Sequence, residues 1–292
     1  MPAFGCRSMI GPLRRVLVKH PRDAFRDAGL IESQWRDLNF TAAPDLARAE
    51  AEHDRFVALL RESGAETLFL PADDRTGLDS LYVHDPVLVG PRGAIVFRMG
   101  KPQRRGEAAA AREFLERAGV PVVGVIAGEG SVEGGDVAWL AERVIAVGEG
   151  YRTNGEGVRQ LREVLADSLE EVVTVPLPHS NGPRECLHLM SLLSPVDRDL
   201  LVVYPRLLPV VFLRWLRDRG FELVEVPDEE FETMAANVFA VGPRRCLAVA
   251  GNPRTRALLE RAGVEVFTFE GKEICLKGTG GPTCLTRPIL RG

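Results

Sequence analysis

The chain has 292 residues and a formal net charge of −4. That balance offers no broad basic field to nucleic acid or an anionic lipid surface, and no apolar run approaches the ~20 residues of a membrane span. Five cysteines without a C-x-x-C pair argue against disulfide staples and make a reducing cytoplasm the default compartment.

The predicted elements recur. Phe56–Leu60 reads as a helix that stops at Gly64 and is followed by the strand Glu66–Leu70. Phe114–Ala118 stops at Gly119 before the strand Val120–Val125. Leu161–Leu169 precedes Val172–Val175, Phe212–Gly220 precedes Phe221–Val226, and Leu258–Gly263 precedes Val264–Phe269. Apolar residues at helical spacing, a Gly stop and then β-branched residues are the ordinary signals for helix followed by strand. The repeat spacing of roughly 40–55 residues suits a repeat architecture.

After each strand comes a short polar motif and another apolar run. The motifs are Asp79-Ser80-Leu81-Tyr82-Val83-His84-Asp85, Val132-Glu133-Gly134-Gly135-Asp136, Cys186-Leu187-His188-Leu189, Ala236-Asn237-Val238 and Gly280-Gly281-Pro282-Thr283-Cys284. Five α/β units that each carry a motif at the same place would gather the motifs around a pseudo-fivefold axis. The N-terminus lacks the long apolar core of a secretory leader, and no linker divides the chain, so residues 1–292 are expected to form one domain.

The motifs hold a thiol, an imidazole, carboxylates and arginines. Cys284 follows the Gly-rich turn Gly278–Pro282, which suits a thiol presented in a cleft as a nucleophile; a small buried hydrophobe also fits. If Arg184–Met190 is a strand, alternation places Cys186, His188 and Met190 on one face. His188 can then serve as a proton shuttle or as a satisfied core histidine. His20, His53 and His179 read as surface or loop residues. Glu133 and Asp136 flank two glycines in a tight turn, where a carboxylate can bind a cation, orient a base or simply face solvent. His84-Asp85-Pro86 is similar, with the chain turning at the proline. Arg98, Arg104, Arg105 and Arg152 are candidates for forked binding of a carboxylate. Cys186, His188, Cys275 and Cys284 lack the clustered spacing of a structural zinc site, and no Gly-rich stretch makes a dinucleotide or phosphate loop.

Taken in order, Asp79–Pro86, Arg98-Met99-Gly100 with Arg104–Glu107, Val132–Asp136, Arg152–Gly157, Leu187–Leu189, Ala235–Asn237, Pro253–Arg256 and Gly280–Cys284 resemble the guanidine-modifying (pentein/amidinotransferase) superfamily. Within it the set is most similar to the dimethylarginine dimethylaminohydrolases. The resemblance implies an α/β fold, a five-bladed α/β propeller of ββαβ repeats around a central active site. It implies that Cys284 attacks the guanidinium carbon, that His188 serves as acid and then base, and that Glu133 orients His188 and holds the guanidinium. Asp85, Asp79 and His84 would meet guanidinium or amine nitrogens, Arg98 and Arg152 the α-carboxylate, with Gly278 beside the substrate. No metal or organic cofactor is implied.

Two positions depart from the pattern: His84 stands where methylarginine hydrolases often carry an acid, and Thr279 where Asp is common. The region from Leu30 to Pro44 matches poorly; the family carries a lid here, and Trp35 either closes the site or packs in the core. The expected function is therefore a cysteine-dependent hydrolase turning N-omega-methylated arginine into citrulline and (di)methylamine. Arginine deimination and amidino transfer are the alternatives on the same scaffold, and a non-catalytic propeller binding protein is the alternative of another class. The partner is a small guanidino amino acid, and the amphipathic helices leave room for a homodimer.

Overall fold

The computed structural model describes residues 3–185 and 187–292; the expectation for Cys186 falls outside them. In chain order the strands are β1 (Leu13–Val18), β2 (Glu66–Phe69), β3 (Val87–Val89), β4 (Ala94–Val96), β5 (Val122–Val125), β6 (Val137–Ala141), β7 (Val144–Glu149) and β8 (Glu171–Pro176). They continue with β9 (Leu193–Pro195), β10 (Leu200–Val203), β11 (Glu222–Glu225), β12 (Phe239–Gly242), β13 (Arg245–Val249), β14 (Glu265–Phe269) and β15 (Arg287–Arg291). They form five three-stranded sheets, β15-β1-β2, β3-β4-β5, β6-β7-β8, β9-β10-β11 and β12-β13-β14. This is the pseudo-fivefold arrangement expected from the repeat and the ββαβ propeller that the family resemblance implies.

Each sheet is built alike. A hairpin pairs the first two strands antiparallel, as β3 does with β4 and β9 with β10. A helix then carries the chain across to a third strand parallel to the second, as in β4–β5 and β10–β11. A parallel neighbour requires such a crossover, which is why helix and strand alternate in the sequence. The remaining sheet joins the two ends of the chain: β15 runs antiparallel to β1, and β1 parallel to β2.

Burial falls from the first strand of each sheet to the third. β3 and β9 are buried throughout, whereas β5 alternates between half-buried and exposed. The crossover helices cover the outer side. Leu46–Glu62 buries Ala49, His53, Phe56, Val57 and Leu60, one stripe at helical spacing. A buried Phe or Leu in such a stripe contributes about 1.5–3 kcal/mol. Gly64, Gly119, Gly220 and Gly263, just past four helices, adopt φ of 94°, 80°, 81° and 78°, the left-handed stop read from the sequence. The helix expected over 161–169 instead spans Gly155–Val164, capped by the Asn154 side chain, and a 3-10 turn covers Ala166–Ser168. It has no terminal glycine, and its first turn was missed because its glycines read as loop.

The five motifs lie where the chain enters the first strand of each sheet, and hydrogen bonds join each to the next. Gly134 and Gly135 N–H donate to the Asp85 backbone oxygen and Oδ1, both at 2.9 Å. Leu189 N–H donates to Asp136 Oδ1 at 2.9 Å. Asn237 Nδ2 donates to Met190 O at 3.2 Å, and Asn237 Oδ1 accepts from Thr283 N–H at 3.0 Å. His84 N–H donates to Cys284 O at 3.2 Å, which closes the circuit. Buried backbone groups need such partners, so the belt fixes five turns that would otherwise be irregular.

Candidate active site

One end of the ring holds a cavity of about 480 Å³ whose lining includes Asp79, Asp85, Arg152, His188, Gly278 and Cys284. The sequence named all six. A larger cavity, of about 740 Å³, is lined by the hairpin turns and the chain ends and contains none of these residues. The belt of entry turns defines the first cavity, and that is where the reactive groups converge.

Cys284 is half-buried, whereas Cys6, Cys246 and Cys275 are buried. Burial pushes the thiols of Cys6 and Cys246 up to about 11 and 12, which makes them unreactive. The Cys284 sulfur lies 3.7 Å from Asn237 Nδ2, a donor that suits a thiolate.

His188 does not lie on a strand. It precedes the 3-10 turn Leu189–Ser191, and its backbone N–H is held by Ser191 Oγ at 3.2 Å. The period-two reading failed because β9 begins only at Leu193. The imidazole is buried, with Nε2 2.8 Å from Glu133 Oε2 and Nδ1 3.9 Å from Asp85 Oδ1. Gly135 is required beneath it, since a Cβ there would meet His188 Nδ1 at 2.3 Å.

Glu133 is fully buried. Its Oε1 accepts from Lys101 N–H at 2.9 Å, and its Oε2 lies 3.6 Å from Arg152 Nη1. Burial works to raise its pKa, but the His188 hydrogen bond and charge, with Arg152 behind them, outweigh it and hold the carboxyl below its ordinary value. Asp85 follows the same logic: burial opposes ionisation, and the charges of His188 and Arg104 win. Both carboxylates therefore stay ionised near neutral pH, as a site for a cation needs.

Arg104 lies within the site and is engaged by the protein's own carboxylates. It is buried, with Nη1 2.6 Å from Asp85 Oδ2 and a forked pair to Glu107 at 3.0 and 2.8 Å. Lys101 was missed; it lines the cavity with Nζ 2.6 Å from Asp79 Oδ2. Its signal was its place between Arg98 and Arg104 in a stretch already singled out. Arg98 does not line the cavity; its Nη1 reaches Gly130 O at 3.5 Å. His84 does not line it either; its ring turns away toward Thr286 O, 2.7 Å from Nδ1. His20 and His53, read as surface residues, are buried, and His179 is exposed. Trp35 packs half-buried against the core, with Arg36 over its ring.

Among the described residues, Asp85, Glu133 and His188 bring three metal-capable atoms within 4.8 Å of one another, as do His20, His53 and Asp54. In the first group the donors are engaged by Arg104, Arg152 and each other. No helix among the described residues is long and apolar enough to cross a membrane.

A half-buried thiol, an imidazole held by a carboxylate and further carboxylates in one cavity define a nucleophilic site for a cationic substrate. The arginine deiminase family model matches residues 79–212 and 207–291. The N(G),N(G)-dimethylarginine dimethylaminohydrolase of Pseudomonas aeruginosa is 32% identical over 246 residues, 83% of this chain and 89% of that protein. The enzyme of the same name from Streptomyces coelicolor is 32% identical over 283 residues, 94% and 96% of the two chains. The Pseudomonas aeruginosa structure, a Cys-to-Ser mutant complexed with citrulline, superposes with a TM-score of 0.78 at 28% identity, over 94% of this chain and 99% of that one. The chain belongs to the arginine deiminase family, in the pentein/amidinotransferase superfamily and close to the dimethylarginine dimethylaminohydrolases. It is accordingly a hydrolase of carbon–nitrogen bonds in linear amidines.

Proposed function

We propose that this protein hydrolyses N-omega-methylated arginine to citrulline and (di)methylamine through a covalent intermediate on Cys284. The observation that carries the reading is the shared cavity of Cys284 and His188, with the imidazole 2.8 Å from buried Glu133. The likeness to two dimethylarginine dimethylaminohydrolases at 32% identity supports the substrate class.

The Cys284 thiolate adds to the central guanidinium carbon. Asp85 and Asp79, both in the cavity lining, offer carboxylates to the spread positive charge, and Glu133 holds the imidazole in place. The bond to the methylated nitrogen breaks as His188 gives that nitrogen a proton, and the amine leaves an S-alkylthiouronium. The neutral imidazole then takes a proton from water. The hydroxide adds to the same carbon, the carbon–sulfur bond breaks as the new hydroxyl gives its proton to solvent, and citrulline leaves with the thiolate restored. One imidazole serves as acid and then base, and such proton transfers contribute about 10²–10⁴-fold each. Arg152, which lines the cavity 3.6 Å from Glu133, binds the substrate carboxylate. Free arginine is the second substrate in rank, favoured by the arginine deiminase family match.

The test is citrulline formation from dimethylarginine, monomethylarginine and arginine in parallel, with Cys284→Ser as control. Citrulline from the methylated substrates that vanishes in the variant is the expected result. Turnover surviving in Cys284→Ser overturns the mechanism, and arginine as the preferred substrate overturns the specificity.

A further inference from the structure

His84 departs from its expected role, and its surroundings indicate another. It sits at the seam where the last motif of the chain meets the first. Its backbone N–H donates to Cys284 O at 3.2 Å. Its ring Nδ1 lies 2.7 Å from Thr286 O, two residues past the thiol, so Nδ1 carries the proton. Its backbone oxygen accepts from Arg287 Nη2. One residue thus makes three bonds to the segment from Cys284 to Arg287. It is buried, and its chain neighbour Asp85 lines the cavity.

We propose that His84 is a positioning residue for the nucleophile: its Nδ1–H bond to Thr286 O sets the placement of Cys284 against Asp85 and His188. The proposal rests on Cys284 being the nucleophile. Burial, joined by the charge of Arg287, pushes the His84 imidazole down to about 3, so the neutral ring that donates from Nδ1 persists across the working range. The side chain is not placed to serve substrate: Nδ1 is taken by a backbone oxygen, Nε2 is buried, and the ring does not line the cavity. Without that bond His84 keeps only its backbone N–H bond to Cys284 O and its contact with Arg287 to this segment. A nucleophile misplaced by about 1 Å can lose up to about 10²-fold in rate.

Three variants test this. Asn places an amide donor where Nδ1 stands, Gln reaches the Nε2 position instead, and Leu removes the donor. Two readouts are taken on each variant: the second-order rate of Cys284 carbamidomethylation by iodoacetamide, followed by peptide mass spectrometry, and kcat and KM for citrulline formation. His84→Leu and His84→Gln should lose about 10- to 100-fold in kcat with KM changed less than about threefold, and should alkylate at an altered rate. His84→Asn should return to within about threefold of the parent in both readouts. Equal behaviour of Asn and Gln overturns the proposal even if the Leu variant does not fold, and so does unchanged alkylation across the series. Alkylation needs no guanidino substrate, so the wrong choice of substrate would leave this test standing.

Discussion

The ammonium of Lys101 lies 2.6 Å from Asp79 Oδ2, inside the cavity that holds Cys284 and His188. Asp79 was expected to wait for a guanidinium, yet it already carries a cation of the protein. The same ammonium donates to Leu38 O at 2.8 Å, and the Lys101 backbone N–H holds Glu133 at 2.9 Å. Lys101 therefore tempers the negative charge of the site while fixing the carboxylate that holds His188.

Lys101→Met should leave Asp79, 7% exposed, without its ion-pair partner. Stability should fall by about 1–3 kcal/mol, less than the ~3–5 kcal/mol for breaking a fully buried pair. The site also gains a net negative charge, so KM for a cationic guanidino substrate should fall a few-fold. Urea unfolding and steady-state kinetics read the two effects; unchanged stability would show that the pair carries no weight.

His53 gives the chain an acid-sensitive element. It is fully buried, and neither ring nitrogen has a hydrogen-bond partner. Burial, helped by the neighbouring His20 and Arg22, pushes its pKa down to about 3. An unfolded His titrates near 6.5, so between about pH 6.5 and 3 the unfolded chain binds the extra proton. This contribution to stability is complete above about pH 6.5 and is lost as pH falls toward 3. His53→Leu should be neutral or stabilising by about 1 kcal/mol at pH 7, because it removes an unpaired polar group. It should gain more at pH 5. Glu107 and Asp136, raised by burial to about 7 and 6, act in the opposite direction, so the difference between variant and parent is the quantity to follow. Parallel curves of urea midpoint against pH would contradict this account.

Arg152 lies 3.6 Å from Glu133 and donates to Glu185 O at 3.3 Å, with its side chain 6% exposed. Arg152→Ala should raise KM for methylarginine more than about tenfold, and for agmatine, which lacks the carboxylate, less than about threefold. Because Glu133 also loses a neighbouring cation, kcat should drop for both. An equal rise in KM for the two substrates would remove Arg152 from carboxylate binding.

The repeat and the five motif positions were legible because each depends on local signals: an apolar stripe, a Gly stop, a β-branched run. Cys284, His188, Glu133 and Asp85 emerged as candidates on residue type and place in the repeat, Arg152 on residue type, and Asp79 on the family resemblance. The orientation of individual side chains was not legible. His84 and Asp85 are adjacent, yet Asp85 lines the cavity and His84 turns to Thr286, in a turn where no period-two or 3.6 rule holds. His53 looked solvated because a polar residue inside a helical stripe reads as surface. Arg104 and Lys101 gained their roles from carboxylates about twenty positions away, Asp85 and Asp79, a pairing that no local window contains.

The sheet that joins β15 to β1 has a temporal consequence. Leu13 pairs with Arg291 and Leu17 with Arg287, so the strand that follows the nucleophile is seated by the strand that begins the ring. Contacts between such distant segments carry a large loop-closure entropy and form late. The placement of the thiol in the cavity with His188 therefore depends on closing the circle, and a chain whose other sheets have formed without that closure holds the reagents of the reaction without the reaction centre.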